Sequence, residues 1–82
     1  MSSLRRWAYA LVLFATIGVA RADRVDDLAR SLLTDPSYKV RVQAALILGK
    51  LGDPRAVPAL IQALKDSDES VRGVVATSLG KL

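Results

Sequence analysis

The sequence predicts an all-α fold, a short α-α superhelix of two stacked helix pairs. Three observations predict it. Residues 35–51 fall on residues 66–82 when the chain is slid by 31 positions, and eight of those 17 pairs are identical: Asp35/Asp66, Val40/Val71, Arg41/Arg72, Ala45/Ala76, Leu48/Leu79, Gly49/Gly80, Lys50/Lys81 and Leu51/Leu82. A period in this range is the mark of supersecondary units stacked in a row. Apolar residues recur at helical spacing between turn residues, as at Val57, Leu60, Ile61 and Leu64. Alternation with period two does not run over any useful length, which argues against strands.

The chain starts with a segment of another kind. Met1-Ser2-Ser3-Leu4-Arg5-Arg6 is positive and free of acid, and 12 of the 14 residues from Trp7 to Ala20 are apolar. Ala20-Arg21-Ala22 then offers small residues at both positions of an A-x-A site, ahead of the first acid, Asp23. A basic start, a short apolar run and small residues at the cut describe a secretory leader, with cleavage after Ala22. The alternative is a retained anchor, although 14 helical residues cover only about 21 Å of a hydrocarbon core about 30 Å thick. Either way Arg5 and Arg6 stay on the cytoplasmic side and the remainder crosses. The expectation is an exported protein, periplasmic or secreted, with residues 1–22 as signal peptide and 23–82 as the folded part.

Within 23–82 the units divide at about 23–52 and 53–82. The first helix of the first unit is carried by VDDLARSLL (25–33), which corresponds to VPALIQAL (57–64) after one residue of slippage. Asp35-Pro36-Ser37 then makes a turn with capping groups ahead of an apolar face at Val40, Ala44, Ile47, Leu48 and Leu51. Gly49 permits close packing and Gly52 a helix exit. Asp53 caps the next helix and Pro54 takes its first position, where a missing N–H costs nothing. Asp66-Ser67-Asp68 turns the chain into the last helix, where acid suits the positive helix end. Val71, Val75, Leu79 and Leu82 give its apolar face.

Composition narrows the chemistry. The whole chain holds 12 Lys+Arg against 8 Asp+Glu, but Arg5, Arg6 and Arg21 leave with the leader, so 23–82 carries 9 against 8 and a net charge of +1. Trp7, Tyr9 and Phe14 leave too, and Tyr38 is the one aromatic that remains. A near-neutral part with one ring has no stacking platform for single strands, so nucleic acid is not an expected partner. A membrane is expected only if the leader is retained. The chain has no Cys and no His, which removes the thiol nucleophile and the commonest base and metal ligand. Asp26-Asp27 and Asp68-Glu69 are sequence neighbours and point about 100° apart on a helix, so neither makes a facing acid–base pair. No catalytic, cofactor-binding or metal-binding residue is expected, and the chain is not read as an enzyme.

Residues Asp35, Val40-Arg41, Ala44-Ala45, Leu48-Gly49, Leu51-Gly52-Asp53-Pro54-Arg55-Ala56-Val57-Pro58 and Leu60 closely resemble the HEAT family, in its short HEAT-like form of the phycocyanobilin-lyase type. The second copy keeps Asp66, Val71-Arg72, Ala76, Leu79-Gly80 and Leu82, with Val75 in place of Ala44. The resemblance covers about 25–82 and is specific for architecture rather than for function. It implies a ladder between units made by the Asp and the Arg six residues on. The expected rungs are Asp35 with Arg72, and Asp66 with an arginine of a unit beyond, so Asp35, Arg41, Asp66 and Arg72 are read as structural.

A solenoid presents one row of helices as an elongated partner surface. Opposite the apolar stripes stand Lys39, Val42, Leu46 and Lys50, then Ser70, Gly73, Thr77 and Lys81, and these form the candidate partner-binding face. The primary reading is an exported scaffold for a protein partner. Because some relatives of this repeat handle bilin chromophores, an accessory or subunit of a chromophore lyase is the alternative. Two units are fewer than a stacked array usually needs, and the last helix lacks an exit such as Gly52-Asp53. The expectation is therefore an incomplete array, or pairing with a copy of itself or with a partner through that open end.

Overall fold

A computed structural model describes residues 23–82; the leader, including Ala20 and Ala22, lies outside the described residues. Those residues are helical with no strand among them. Helix α1 runs through 23–34, α2 is Tyr38–Leu51, a 3-10 turn spans Pro54–Ala56, α3 is Val57–Ala63 and α4 is Glu69–Gly80.

The helix ends follow from local chemistry. Gly52 takes φ 64°, the left-handed conformation that ends α2 without a Cβ clash. The Asp53 side chain accepts the Arg55 N–H and Pro54 fills the first position of the 3-10 turn, as the sequence predicts. At the last turn Asp66 Oδ1 accepts the Asp68 N–H at 2.9 Å and Asp68 Oδ1 accepts the Val71 N–H at 3.1 Å. The first unit does this only in part. Asp35 Oδ1 accepts the Ser37 N–H at 2.9 Å, but Ser37, at the N-cap of α2, makes no capping bond with its side chain.

One apolar cluster joins all four helices: Val25 and Leu32 of α1, Ala44, Ala45 and Leu48 of α2, Ala56 of the 3-10 turn, Leu60 and Ala63 of α3, and Val71 and Val75 of α4. Leu28, Val42, Val74 and Leu79 pack against it half-buried. No member is aromatic; small side chains let the helices approach closely, since interhelical distance is set by what stands at the contact.

Several expected core positions shift for that reason. On α3 the buried residues are Ala59, Leu60 and Ala63, following Ala56, while Ile61 is 54% exposed and Leu64 is also exposed. Helix α2 buries Ala44, Ala45, Leu48 and Gly49, leaves Ile47 half-buried and exposes Val40 and Leu51. On α4 Val71 and Val75 are fully buried, but the next turn inward is Ser78, with Leu79 half-buried and Leu82 exposed. At the closest backbone approach Gly49 meets Ser78, and small residues share the inner seats with Leu32, Leu48, Leu60, Val71 and Val75, while Ile61 and Leu64 are turned to the rim.

Candidate functional site

The best-defined polar feature is the joint between α2 and the turn before α4. Arg41 Nε donates to Asp66 Oδ2 at 2.9 Å and Nη2 to Oδ1 at 3.2 Å, a two-pronged grip between side chains that are 14% and 10% exposed. Its Nη1 turns back to the Asp35 carbonyl at 2.8 Å and the Pro36 carbonyl at 3.2 Å. Guanidinium geometry suits this, with one edge for a carboxylate and a further nitrogen for the backbone. Burial alone would push the Asp66 carboxyl up; the Asp68 N–H, then the Arg41 bond and charge, outweigh it and hold it below the usual carboxylate range.

The rung therefore corrects the expected pairing: Arg41 reaches forward to Asp66, and Asp35 does not pair with Arg72. The physical reason is the anchoring of the Arg41 Nη1 on its own preceding turn, which leaves the Nε edge facing the next unit. Arg72 repeats the anchor, its Nη1 donating to the Asp66 carbonyl at 2.7 Å. Asp35 spends Oδ1 on the Ser37 N–H.

At the far end of the same helix pair Ser78 is 2% exposed, and its Oγ donates to the Ala45 carbonyl at 2.7 Å. A Cβ on Gly49 would lie 2.7 Å from Ser78 Oγ, 2.9 Å from its Cβ and 3.1 Å from its Cα. Gly49 is thus required by the close approach of α4. Sequence reasoning missed Ser78, although it stands three residues after Val75 and seven after Val71, in register with the buried stripe.

Of the expected partner face, Lys39, Lys50, Ser70, Gly73, Thr77 and Lys81 are exposed and Leu46 is half-buried. Val42 differs, since it packs against the apolar cluster and is committed to holding α2 in place. Thr77 Oγ1 donates to the Gly73 carbonyl at 3.1 Å, leaving its methyl and the bare Gly73 backbone as the middle of the α4 stretch. The row is mixed: cations at Lys39, Lys50 and Lys81, small groups at Ser70, Gly73 and Thr77, and one apolar contact at Leu46. Such a surface can dock a protein but brings together no nucleophile and base.

A shallow groove of about 780 Å³ lies where Arg24 and Val25 of α1 face Lys50, Leu51 and the Gly52–Arg55 stretch. Arg55 there is clamped to Asp53, Nε lying 3.0 and 3.1 Å from its two oxygens. That bond, helped by the nearby charges of Asp53 and Asp26, outweighs desolvation and raises the Arg55 pKa. The clamp serves to rigidify the turn after Gly52.

Comparison with known proteins agrees with this architecture. The family model for HEAT repeats matches residues 25–82. The phycocyanobilin lyase subunit alpha of Microchaete diplosiphon is 63% identical over 35 residues, 43% of this chain and 12% of that protein. The subunit of the same name from Synechocystis sp. is 55% identical over 38 residues, 46% of this chain and 14% of that protein. The chain thus spans about one seventh or less of the length of these relatives. With two helix pairs stacked through an Arg–Asp rung and the family match running over most of its length, the chain belongs to the HEAT-repeat family.

Proposed function

We propose that this HEAT-repeat chain is an exported protein-interaction module that works by binding and not by catalysis. The observation that carries the reading is the row along α2 and α4. Rung and close contact fix the two helices side by side, so Lys39, Leu46 and Lys50 continue into Ser70, Gly73, Thr77 and Lys81 as one surface. A rigid row of this kind loses little conformational freedom when a partner protein settles on it.

The test uses the full chain expressed in its own host and cross-linked there. Leu46→Arg and Thr77→Arg each place a long cation in the middle of the row. A protein captured by the parent chain should be lost from both variants while their helical circular dichroism is unchanged. Capture that persists in both variants overturns the surface. Export rests on Arg5-Arg6, the apolar run and Ala20-Arg21-Ala22. Sequencing the N-terminus of the mature protein should find Asp23 first, and Met1 on a membrane-bound form would indicate a retained anchor.

The second reading is an accessory of a chromophore lyase, favoured by the relatives named phycocyanobilin lyase subunit alpha. It requires the chain to contact a bilin. Titrating a bilin with the chain and watching its absorption band decides: an unshifted band at high micromolar chain removes this reading.

A further inference from the structure

The groove between α1 and the turn after α2 has a charge and a floor that helix stacking does not use. Its rim carries Arg24, Lys50 and Arg55, and Val25, Leu51 and Pro54 give it an apolar floor. Asp53 is the single acid in this lining, and it is held by Arg55. The charge of Asp26 reaches Arg55 as well, which leaves Arg24 and Lys50 as the cations to be answered. Neither meets a carboxylate at ion-pair distance among the described residues. Residues 23–82 hold 9 Lys+Arg against 8 Asp+Glu, a net +1, whereas this lining has three cations against one acid. The positive excess of the folded part is gathered here.

Comparison of the two units shows that stacking does not call for Arg24. With VDDLARSLL laid on VPALIQAL, Val25 falls on Val57 and Arg24 on Ala56. Ala56 is fully buried in the apolar cluster, while Arg24 is exposed at the groove. Leu51 beside it is 40% exposed. Gly52 has nothing within 4 Å of the place a Cβ would take, so a bare stretch of backbone is open next to Leu51. Cations, apolar floor and open backbone share a space of about 780 Å³, within the range of sites that hold small ligands.

We propose that this groove binds an acidic, extended segment of a partner protein. Its carboxylates answer Arg24 and Lys50, and an apolar side chain between them rests on Leu51 and Pro54. An inorganic anion would leave Leu51 and Pro54 unused, and a flat anionic membrane would not reach Val25 at the floor. The site goes beyond the row along α2 and α4 and shares only Lys50 with it.

The probe is a rhodamine-labelled peptide, Glu-Glu-Leu-Glu-Glu, titrated with the full chain and read by anisotropy. It should bind with a Kd on the order of 100 µM at about 50 mM salt, and at least about fivefold more weakly at about 500 mM. Glu-Glu-Gly-Glu-Glu should bind about fivefold more weakly than the leucine peptide, and Lys-Lys-Leu-Lys-Lys should not bind. Arg24→Glu and Lys50→Glu should each weaken the leucine peptide about tenfold. Both residues are exposed, so the melting midpoints of these variants should stay within about 2 °C of the parent.

Arg5, Arg6 and Arg21 also attract acid, so the groove variants decide. Binding that survives both belongs to the leader or to general charge and overturns the proposal. No binding at about 1 mM chain, or equal binding of the leucine and glycine peptides, overturns it too. Vesicles of phosphatidylcholine with about one third phosphatidylserine test the other anionic surface. Retention on them that both variants lose, without peptide binding, makes a lipid surface the occupant and overturns the proposal. Arg24 lies outside the interaction row, so Arg24→Glu separates the two readings. Loss of the peptide with capture through Leu46 and Thr77 intact supports the groove as a second site. Failure of the row leaves the groove standing as long as Arg24→Glu still governs the peptide.

Discussion

Helix α4 is fastened to α2 at two ends by opposite means. At one end Arg41 reaches a carboxylate through a long side chain, and charge and hydrogen bonding do the holding. At the other, Gly49 and Ser78 bring the backbones together, and the contact works because nothing larger is there. The first end can stretch by a few tenths of an ångström and keep most of its energy. The second has no such slack, because one of the three nearest atoms is the Ser78 Cα. Register is thus chosen by the polar end and spacing by the tight one.

The largest effect should come from the end without slack. Gly49→Val forces carbon into Ser78 and should lower stability by about 3 kcal/mol, a fall in the melting midpoint of roughly 10–20 °C. Gly49→Ala is the sharper probe, because alanine alone favours the helix by about 1 kcal/mol. A net loss in that variant, partly recovered by Ser78→Gly in a double-mutant cycle with coupling near 1 kcal/mol, locates the clash at this pair. Additive single effects would break the comparison.

At the polar end Asp66→Asn keeps the shape and the bond from the Asp68 N–H but removes the charge facing Arg41. Arg41 retains its two backbone carbonyls, so the loss should be about 1–2 kcal/mol by chemical denaturation, less than for a fully buried pair. No change at all would reduce the rung to a bystander.

The same carboxylate gives this end a pH dependence that the tight end lacks. The Asp66 pKa is lowered in the folded state, so the unfolded chain takes up the proton first as pH falls. Its contribution is complete above the unfolded value, about 4, and is lost as pH drops through the folded value. Midpoints measured from pH 7 down to pH 2.5 should therefore decline more steeply in the parent chain than in Asp66→Asn. Parallel curves would assign the acid sensitivity elsewhere.

What could be read from the sequence follows the range of the interaction. Asp53, Pro54, Gly52 and the Asp66-Ser67-Asp68 turn were legible because capping and helix exit depend on a few adjacent residues. The inner face of α3 was legible at Leu60 but not beside it, because bulk pointed also to Ile61 and Leu64 while the neighbouring seats are held by Ala56, Ala59 and Ala63. The rung was legible in its residues but not in its direction. The spacing allows Asp35 with Arg72 as readily as Arg41 with Asp66, and only the anchoring of Nη1 on the preceding turn selects the second. Ser78 was hidden by its polarity, since a hydroxyl that finds a carbonyl acceptor can occupy a core position.

The smallest effect belongs to the helix starts that flank the rung. In α4 the Asp68 side chain holds the Val71 N–H, and Glu69 adds a negative charge in the first turn. In α2 Ser37 stands in the same position with extended backbone, φ −85° and ψ 120°, but makes no side-chain bond, and the first turn has no acid. Ser37→Asp should copy the α4 arrangement by accepting the Val40 N–H and placing an anion at the positive end of α2. The gain should be about 0.5–1 kcal/mol, from the cap and the helix dipole together. It is visible as a rise of a few degrees in the melting midpoint at neutral pH, shrinking as the new carboxyl is protonated. Were the variant no more stable, the start of α2 would already be fixed by the grip of Arg41 on the Asp35 and Pro36 carbonyls, and the polar end would govern the helix as well as the joint.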